Sequence, residues 1–203
     1  MTNDISYDER LSIKTVGDQQ GFPQMPHYHR YEPTPYAGLN QLFEHCELDS
    51  TDGFVDVGCG KGRVAFYVHH RFGAMVTGIE MNPAFFEMCL QNKIGYMKKR
   101  KHQRGFIDFQ CMMAQEYDVK AEDTVFYFFN PFSVQIFMKV VQRILASVEQ
   151  FPRKITIILY YPSDEYVYFL QNQTVFEWRD EVRLDGLYEK NENERFVLFQ
   201  NEK

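Results

Sequence analysis

The chain has 203 residues, a net charge of −6, 44% apolar residues and 25% charged residues. That length makes one domain with a real core, and that composition is ordinary for globular material. No apolar run approaches the ~18 residues of a membrane span. The acidic balance argues against broad binding to nucleic acid, which needs a basic surface to neutralise phosphates. Polar Thr2, Asn3 and Asp4 follow Met1, so no signal peptide is expected. Cys46, Cys59, Cys89 and Cys111 lie far apart, with no C-x-x-C and no histidine at metal spacing. They read as reduced, buried thiols of a cytoplasmic protein, with no metal.

In chain order, residues 1 to about 26 are polar and weakly patterned, an arm rather than a domain. Pro26 to Tyr36 is too rich in proline for a helix. Leu39, Leu42, Phe43 and Cys46 then recur at helical spacing. Phe54 to Val57 reads as a buried strand carrying one acid, Asp56, and it runs into Gly58, Gly60 and Gly62. Without a Cβ these positions can take positive φ and let a ligand lie against bare backbone. Val64, Tyr67, Val68 and Phe72 place a helix directly after the glycines. Strand, glycine turn and helix N-terminus form the ligand site of a doubly wound sheet.

Met75 to Ile79 is a second strand ending in Glu80, placed to accept both ribose hydroxyls of an adenosine. Asn82 as N-cap and Pro83 at the first position start a helix. Phe86, Cys89, Leu90 and Met97 are its expected core face, and Gly95 is a candidate early end. The run Lys98 to Arg104 is either a nucleic-acid patch or a solvated helix end complementing the macrodipole; the net charge favours the second.

Phe106 to Cys111 gives a third strand, and Thr124 to Phe129 a fourth, apolar on both faces as a central parallel strand should be. The fourth ends in Asn130-Pro131-Phe132-Ser133. Ser133 is expected to cap a helix with the stripe Phe137, Val140, Val141, Ile144, Leu145 and Val148. Lys154 to Tyr161 is a fifth strand, stopped by Pro162. Ser163, Asp164 and Glu165 cap a short helix through Leu170, and Thr174 to Arg183 pairs with Arg195 to Gln200 as a hairpin. The alternation is that of an α/β fold with a doubly wound sheet.

The spacing D-x-G-x-G-x-G from Asp56 to Gly62 has Arg63 where the dehydrogenase fingerprint wants its last glycine. Together with Glu80 it resembles the class I, Rossmann-like S-adenosylmethionine-dependent methyltransferases, of a bacterial-type branch. The resemblance implies a mostly parallel seven-stranded sheet with an antiparallel last strand and helices on both faces. It implies S-adenosyl-L-methionine as cofactor, with Asp56 facing the methionine amino group. Gly58, Cys59, Gly60 and Gly62 would approach the cofactor, and Glu80 and Met81 would hold the ribose end. Family members usually place an acid at the adenine wall where this chain has Met113. Methionine packing, with a backbone acceptor or Gln115, would take its place.

In many members the segment before the first strand folds over the cofactor as a lid. Here that division gives an arm over residues 1–36 and a core over 37–203. Tyr31 and Thr34 would belong to the lid, or to a proline-stiffened linker, and His27 and His29 stand where a lid could present a base. Asn130-Pro131-Phe132 resembles the Asn-Pro-Pro-Tyr signature of amino-group methyltransferases, with one proline instead of two. It also resembles the asparagine loop of the Rossmann-fold histone lysine methyltransferases and their bacterial relatives. Asn130, Pro131 and Phe132 are therefore the candidate catalytic residues, or else a turn. The implied function is transfer of a methyl group to a nitrogen, less readily an oxygen, of a small molecule or protein side chain. The alternative is a binding module that keeps the cofactor pocket without transfer. With no room for a target-recognition domain, neither nucleic acid nor membrane is an expected partner, and the chain would act as a monomer or homodimer.

Overall fold

The computed structural model describes residues 2–17, 27–100 and 104–202. After the N-terminal helix α1 (Thr2–Leu11) come α2 (Tyr36–His45), β1 (Gly53–Val57), α3 (Arg63–Phe72), β2 (Met75–Glu80) and α4 (Pro83–Lys99). Then follow β3 (Phe106–Cys111), β4 (Asp123–Phe129), α5 (Val134–Gln150), β5 (Thr156–Tyr160), α6 (Asp164–Gln173), β6 (Phe176–Arg183) and β7 (Arg195–Asn201). The strands form one seven-stranded sheet in the order β3-β2-β1-β4-β5-β7-β6. Only β7 runs against its neighbours β5 and β6, which closes the expected hairpin. This is the Rossmann-like methyltransferase topology that the resemblance implied.

Burial on both faces explains the nearly unbroken apolar strands. In β1, Phe54 joins one core with Tyr36, Phe66, Tyr127 and Phe196. Its neighbour Val55 joins the other with Phe126, Phe128, Phe137 and Phe199, as the period of two requires. The register pairs Val57 with Ile79 and Phe128, and Phe129 with Tyr160. The carboxyl ends of β1, β2, β4 and β5 therefore meet at one edge, which positions the site.

Three elements differ from expectation. The polar arm begins with an ordered helix: Leu11 and Ile13 are buried, and Tyr7 stacks on Tyr36 at 4.4 Å. Its buried Asp8 accepts from the Thr15 amide, the Thr15 hydroxyl and the Tyr36 hydroxyl. In α4 the buried face is Phe85, Cys89, Asn92 and Tyr96, while Met97 is exposed. The helix runs through Gly95, whose missing side chain lets the backbone of Ser12 pack there, a Cβ lying 2.5 Å from the Ser12 carbonyl oxygen. Ser133 stands at the N-cap of α5 without capping; its hydroxyl meets His27 Nδ1 at 3.1 Å instead. Cys111 is exposed, unlike the three buried thiols. Residues 18–26 of the arm and 101–103 of the basic run lie outside the described residues.

Candidate active site

At the shared edge is a cavity of about 440 Å³, within the ~300–1,000 Å³ range of cofactor sites. Its floor is Gly58, Gly60 and Ile79; one side is Glu80, Met81, Asn82 and Phe85; the other is Phe129, Pro131 and Phe132. Met112 and Ala114 line it beyond β3, and Tyr28 to Glu32 cover it.

The glycine turn is folded tightly enough that glycine is required. Gly58, Gly60 and Gly62 hold φ of +79°, +55° and +85°, a region costly to residues with a Cβ. A Cβ on Gly58 would lie 2.7 Å from Pro131 Cβ, so the Asn130–Ser133 turn sits directly over the first glycine. A Cβ on Gly60 would strike the Tyr31 ring.

Two carboxylates support this turn, and the structure gives them different places. Asp56 is buried beneath it and accepts from the Ala65 amide at 3.2 Å, outside the cavity lining. Burial pushes its carboxyl up to about 7, against the Ala65 hydrogen bond. Glu80 lines the cavity. Its Oε2 accepts from the Gly60 amide at 2.8 Å and its Oε1 from the Asn82 amide at 2.7 Å. Burial likewise pushes it up to about 7, opposed by those backbone donors. The Met81 amide is a third backbone donor to it; with about four acceptor positions on a carboxylate, acceptor capacity remains for a donor arriving in the cavity.

The other residues singled out in the sequence divide the same way. Gly58, Gly60, Glu80, Met81, Tyr31, Pro131 and Phe132 line the cavity; Cys59, Gly62, Met113, Thr34 and Asn130 do not. Cys59 faces Gly78 below the turn, and Gly62 packs against Phe66 and Phe109. Met113 is exposed while Met112, one residue earlier, faces the cavity. Thr34 is buried, its hydroxyl 2.7 Å from that of Tyr127. Sequence reasoning missed Met112, Ala114, Phe129 and Tyr28. Only the alternation of Met112 and Met113 after β3 could have hinted at the first.

Asn130 holds φ +37°, uncommon for a residue with a Cβ. Its side-chain oxygen is buried and has no hydrogen-bond partner among the described residues. The covering segment straps this turn: the His29 amide donates to the Pro131 carbonyl at 3.0 Å, and the Ser133 amide to the His27 carbonyl at 2.9 Å. His29 Nδ1 lies 2.6 Å from the Asn130 carbonyl oxygen. A carbonyl only accepts, so Nδ1 carries the proton and Nε2 is the acceptor of the neutral ring. From behind, the Tyr166 hydroxyl donates to the Phe132 carbonyl.

The fold, the glycine turn after β1 and the buried acid lining the cavity at the end of β2 give the layout of a doubly wound α/β protein with its ligand site at the carboxyl ends of the strands. Residues 55–152 match the model of a methyltransferase domain. The fold is similar to that of an RNA methyltransferase from Salinibacter ruber in complex with S-adenosyl-L-homocysteine. That match has 21% identity over 84% of this chain and 92% of that one, with TM-score 0.56. A putative methyltransferase, yhhF, from Escherichia coli matches at 14% identity over 85% and 90%, with TM-score 0.59. Geranyl diphosphate C-methyltransferase from Streptomyces coelicolor A3(2) matches at 13% over 81% and 77%, with TM-score 0.54. At these identities the likeness is one of fold. No curated protein sequence matches the chain. Residues 55–152 thus carry a methyltransferase domain on a Rossmann-like fold, and S-adenosylmethionine is the cofactor that such a domain implies. No helix among the described residues is long and apolar enough to cross a membrane.

Proposed function

We propose that the protein transfers the methyl group to a nitrogen of a small molecule or protein side chain, with Asn130 orienting that nitrogen. The observation that carries this reading is the Asn130 side-chain oxygen, buried and unpartnered among the described residues, in a strained turn held over Gly58 and set between the lining residues Phe129 and Pro131. A buried acceptor left without a donor costs ~1–3 kcal/mol, and such strain gathers at functional sites. An amine N–H would satisfy it and turn the nitrogen lone pair in a fixed direction.

The cofactor-side residues fit the group. Bare backbone at Gly58 and Gly60, the remaining acceptor capacity of Glu80, and the slot at Met112 and Ala114 suit the amino-acid, ribose and adenine parts in turn. Tyr31 would close the glycine end. Met81 would flank the ribose. Asp56, Cys59, Gly62 and Thr34 would act by shaping the turn and its cover, and the exposed Met113 by closing an outer edge. When bound, S-adenosylmethionine supplies an electrophilic methyl whose leaving group is a neutral thioether. The chain's task is therefore alignment and desolvation of the acceptor. Pro131 and Phe132 wall the reacting side, and His29 Nε2 would receive the proton that the methylated nitrogen sheds. This reading takes residues 1–36 as the cover and 37–203 as the core. The free thiols support a reducing, cytoplasmic setting.

The test is Asn130→Ala, assayed against a metabolite and peptide panel. Affinity for S-adenosylhomocysteine by calorimetry should stay within about twofold, while transfer falls by roughly 10² or more. Transfer that persists in the variant assigns Asn130 to the turn alone. Saturable cofactor binding with no acceptor in any pool favours a binding module.

A further inference from the structure

Phe129 and Tyr160 are register partners at the ends of β4 and β5, and Asn130 and Tyr161 follow them. Both following residues hold left-handed φ, +37° and +51°. For a bulky aromatic that is a genuine outlier, maintained only where the surroundings force it. Tyr161 is held by its amide, which donates to the Arg195 carbonyl at 3.1 Å, and by its hydroxyl, which accepts from Asn191 Nδ2 at 2.8 Å. The result is a group of three rings: Phe129 lies 4.5 Å from Tyr160 and 6.3 Å from Tyr161 between centroids.

Two carboxylates meet these rings. Glu194 accepts from the Tyr160 hydroxyl. Glu32 lines the cavity together with Phe129, and its charge reaches Tyr160: burial, then Glu194, Tyr161 and Glu32, raise that hydroxyl's pKa. The lining as a whole carries Glu32 and Glu80 against one arginine, Arg30. Ring faces and carboxylates together favour a cation, and they favour it more as water is excluded.

We propose that this corner, Phe129 and Glu32 on the wall with Tyr160, Tyr161 and Glu194 behind them, seats a cationic group of the methyl acceptor. The proposal rests on the nitrogen-transfer reading of the same cavity and names its substrate class: an amine bearing a second, protonated nitrogen, either alkylammonium or guanidinium. The reacting nitrogen must be neutral to offer a lone pair, so the seated cation is a different atom. Holding it fixes the distance from which the neutral nitrogen reaches Asn130.

The experiment is calorimetry on the full chain saturated with S-adenosylhomocysteine, using cadaverine, its neutral counterpart pentanediol, and glutarate. Cadaverine should bind at least about tenfold more tightly than pentanediol, and glutarate not at all. Glu32→Gln and Phe129→Leu should each weaken cadaverine about fivefold or more while leaving S-adenosylhomocysteine within about twofold. Tyr161→Gly accepts the left-handed backbone without strain but removes the ring and its bond with Asn191, so it is read beside Tyr161→Phe, which keeps the ring. Cadaverine affinity should fall in the first and hold within about twofold in the second, with melting temperatures confirming that both variants are folded at the assay temperature. Equal binding of cadaverine and pentanediol, or Glu32→Gln, Phe129→Leu and Tyr161→Gly variants that leave cadaverine affinity unchanged, overturns the seat. Transfer that needs Asn130 but serves neutral and cationic amines alike also overturns it, and leaves the transfer reading standing. Cadaverine bound through Glu32 with no nitrogen acceptor ever methylated does the reverse.

Discussion

The ring of Tyr31 fills the space that a side chain on Gly60 would need. Its hydroxyl donates to the Thr15 carbonyl at 2.8 Å, and Lys61, the residue after Gly60, donates to the Val16 and Gly17 carbonyls. Tyr31 thus ties Thr15, just after the first helix, to the middle of the glycine turn, and Lys61 adds Val16 and Gly17 to the same junction. Gly60→Ala should be doubly costly, from a φ of +55° and from displacement of the ring. The backbone part alone is worth ~1–2 kcal/mol, a loss of several degrees in melting temperature for a chain of this size. Differential scanning calorimetry reads it directly.

Tyr31 itself can be dissected. Tyr31→Phe keeps the ring on Gly60 and should hold S-adenosylhomocysteine affinity within about twofold. Tyr31→Ala opens the cover over the glycine end and should weaken it by about tenfold, roughly 1.4 kcal/mol. Equal affinities for all three proteins in calorimetry would remove Tyr31 from the cofactor wall.

With Glu80 as the proposed ribose acceptor, cofactor binding should depend on pH. The Glu80 carboxyl titrates at about 7 in the folded protein, and ribose hydroxyls donating to it favour the charged form. Binding should therefore tighten as pH rises from 6 to 8, with proton release measurable by calorimetry in buffers of differing ionisation enthalpy. Glu80→Gln should flatten the profile, and Glu80→Ala should lose at least about tenfold in affinity, charge-assisted bonds being worth ~1.5–3 kcal/mol.

Asp56 and Glu80 also set the pH dependence of stability. Both are raised to about 7 from ordinary values of 3.8 and 4.5. Between those limits the folded state keeps protons that the unfolded state releases. Their contribution is thus fully present below about pH 4 and is lost as pH rises through 7. Without cofactor, the melting temperature should decline across that window from these groups. Asp56→Asn, which can still accept from the Ala65 amide, should make the decline shallower.

The N-terminal helix is a structural part of the site. Replacing Asp8 by Ala would strand the Thr15 amide, the Thr15 hydroxyl and the Tyr36 hydroxyl, at ~1–3 kcal/mol for each buried group left unsatisfied. Arg63 extends the same network, donating to Thr15 Oγ1, Asp4 Oδ2 and the Thr34 carbonyl. Asp8→Ala should lower the melting temperature and raise amide exchange over residues 2–17 together; a drop confined to one of the two would separate helix from core.

Much of this protein is written locally. Strand period, glycine spacing and the acid after β2 follow from short-range chemistry, so Gly58, Gly60 and Glu80 could be expected at the ligand end of the sheet from sequence, while the seven strands with an antiparallel last one came from the family resemblance and their order from the structure. The Asn82 cap is equally local, its side chain accepting from the Ala84 amide two residues on. Tertiary structure decided the rest. Ser133 has the residue type of a cap, yet its hydroxyl meets His27, 106 positions away in the chain. Gly95 has the residue type of a helix end, yet it lies inside the helix and serves the close approach of Ser12. Met112 faces the cavity and Met113 does not, a choice of side that one-residue register settles only once β3 has paired with β2. The cover from Tyr28 to Glu32 has no periodicity of its own; its backbone hydrogen bonds are completed by the Asn130–Ser133 turn. A segment whose partners lie a hundred residues away carries no local signal of its shape, because the groups that satisfy it arrive only when the chain closes.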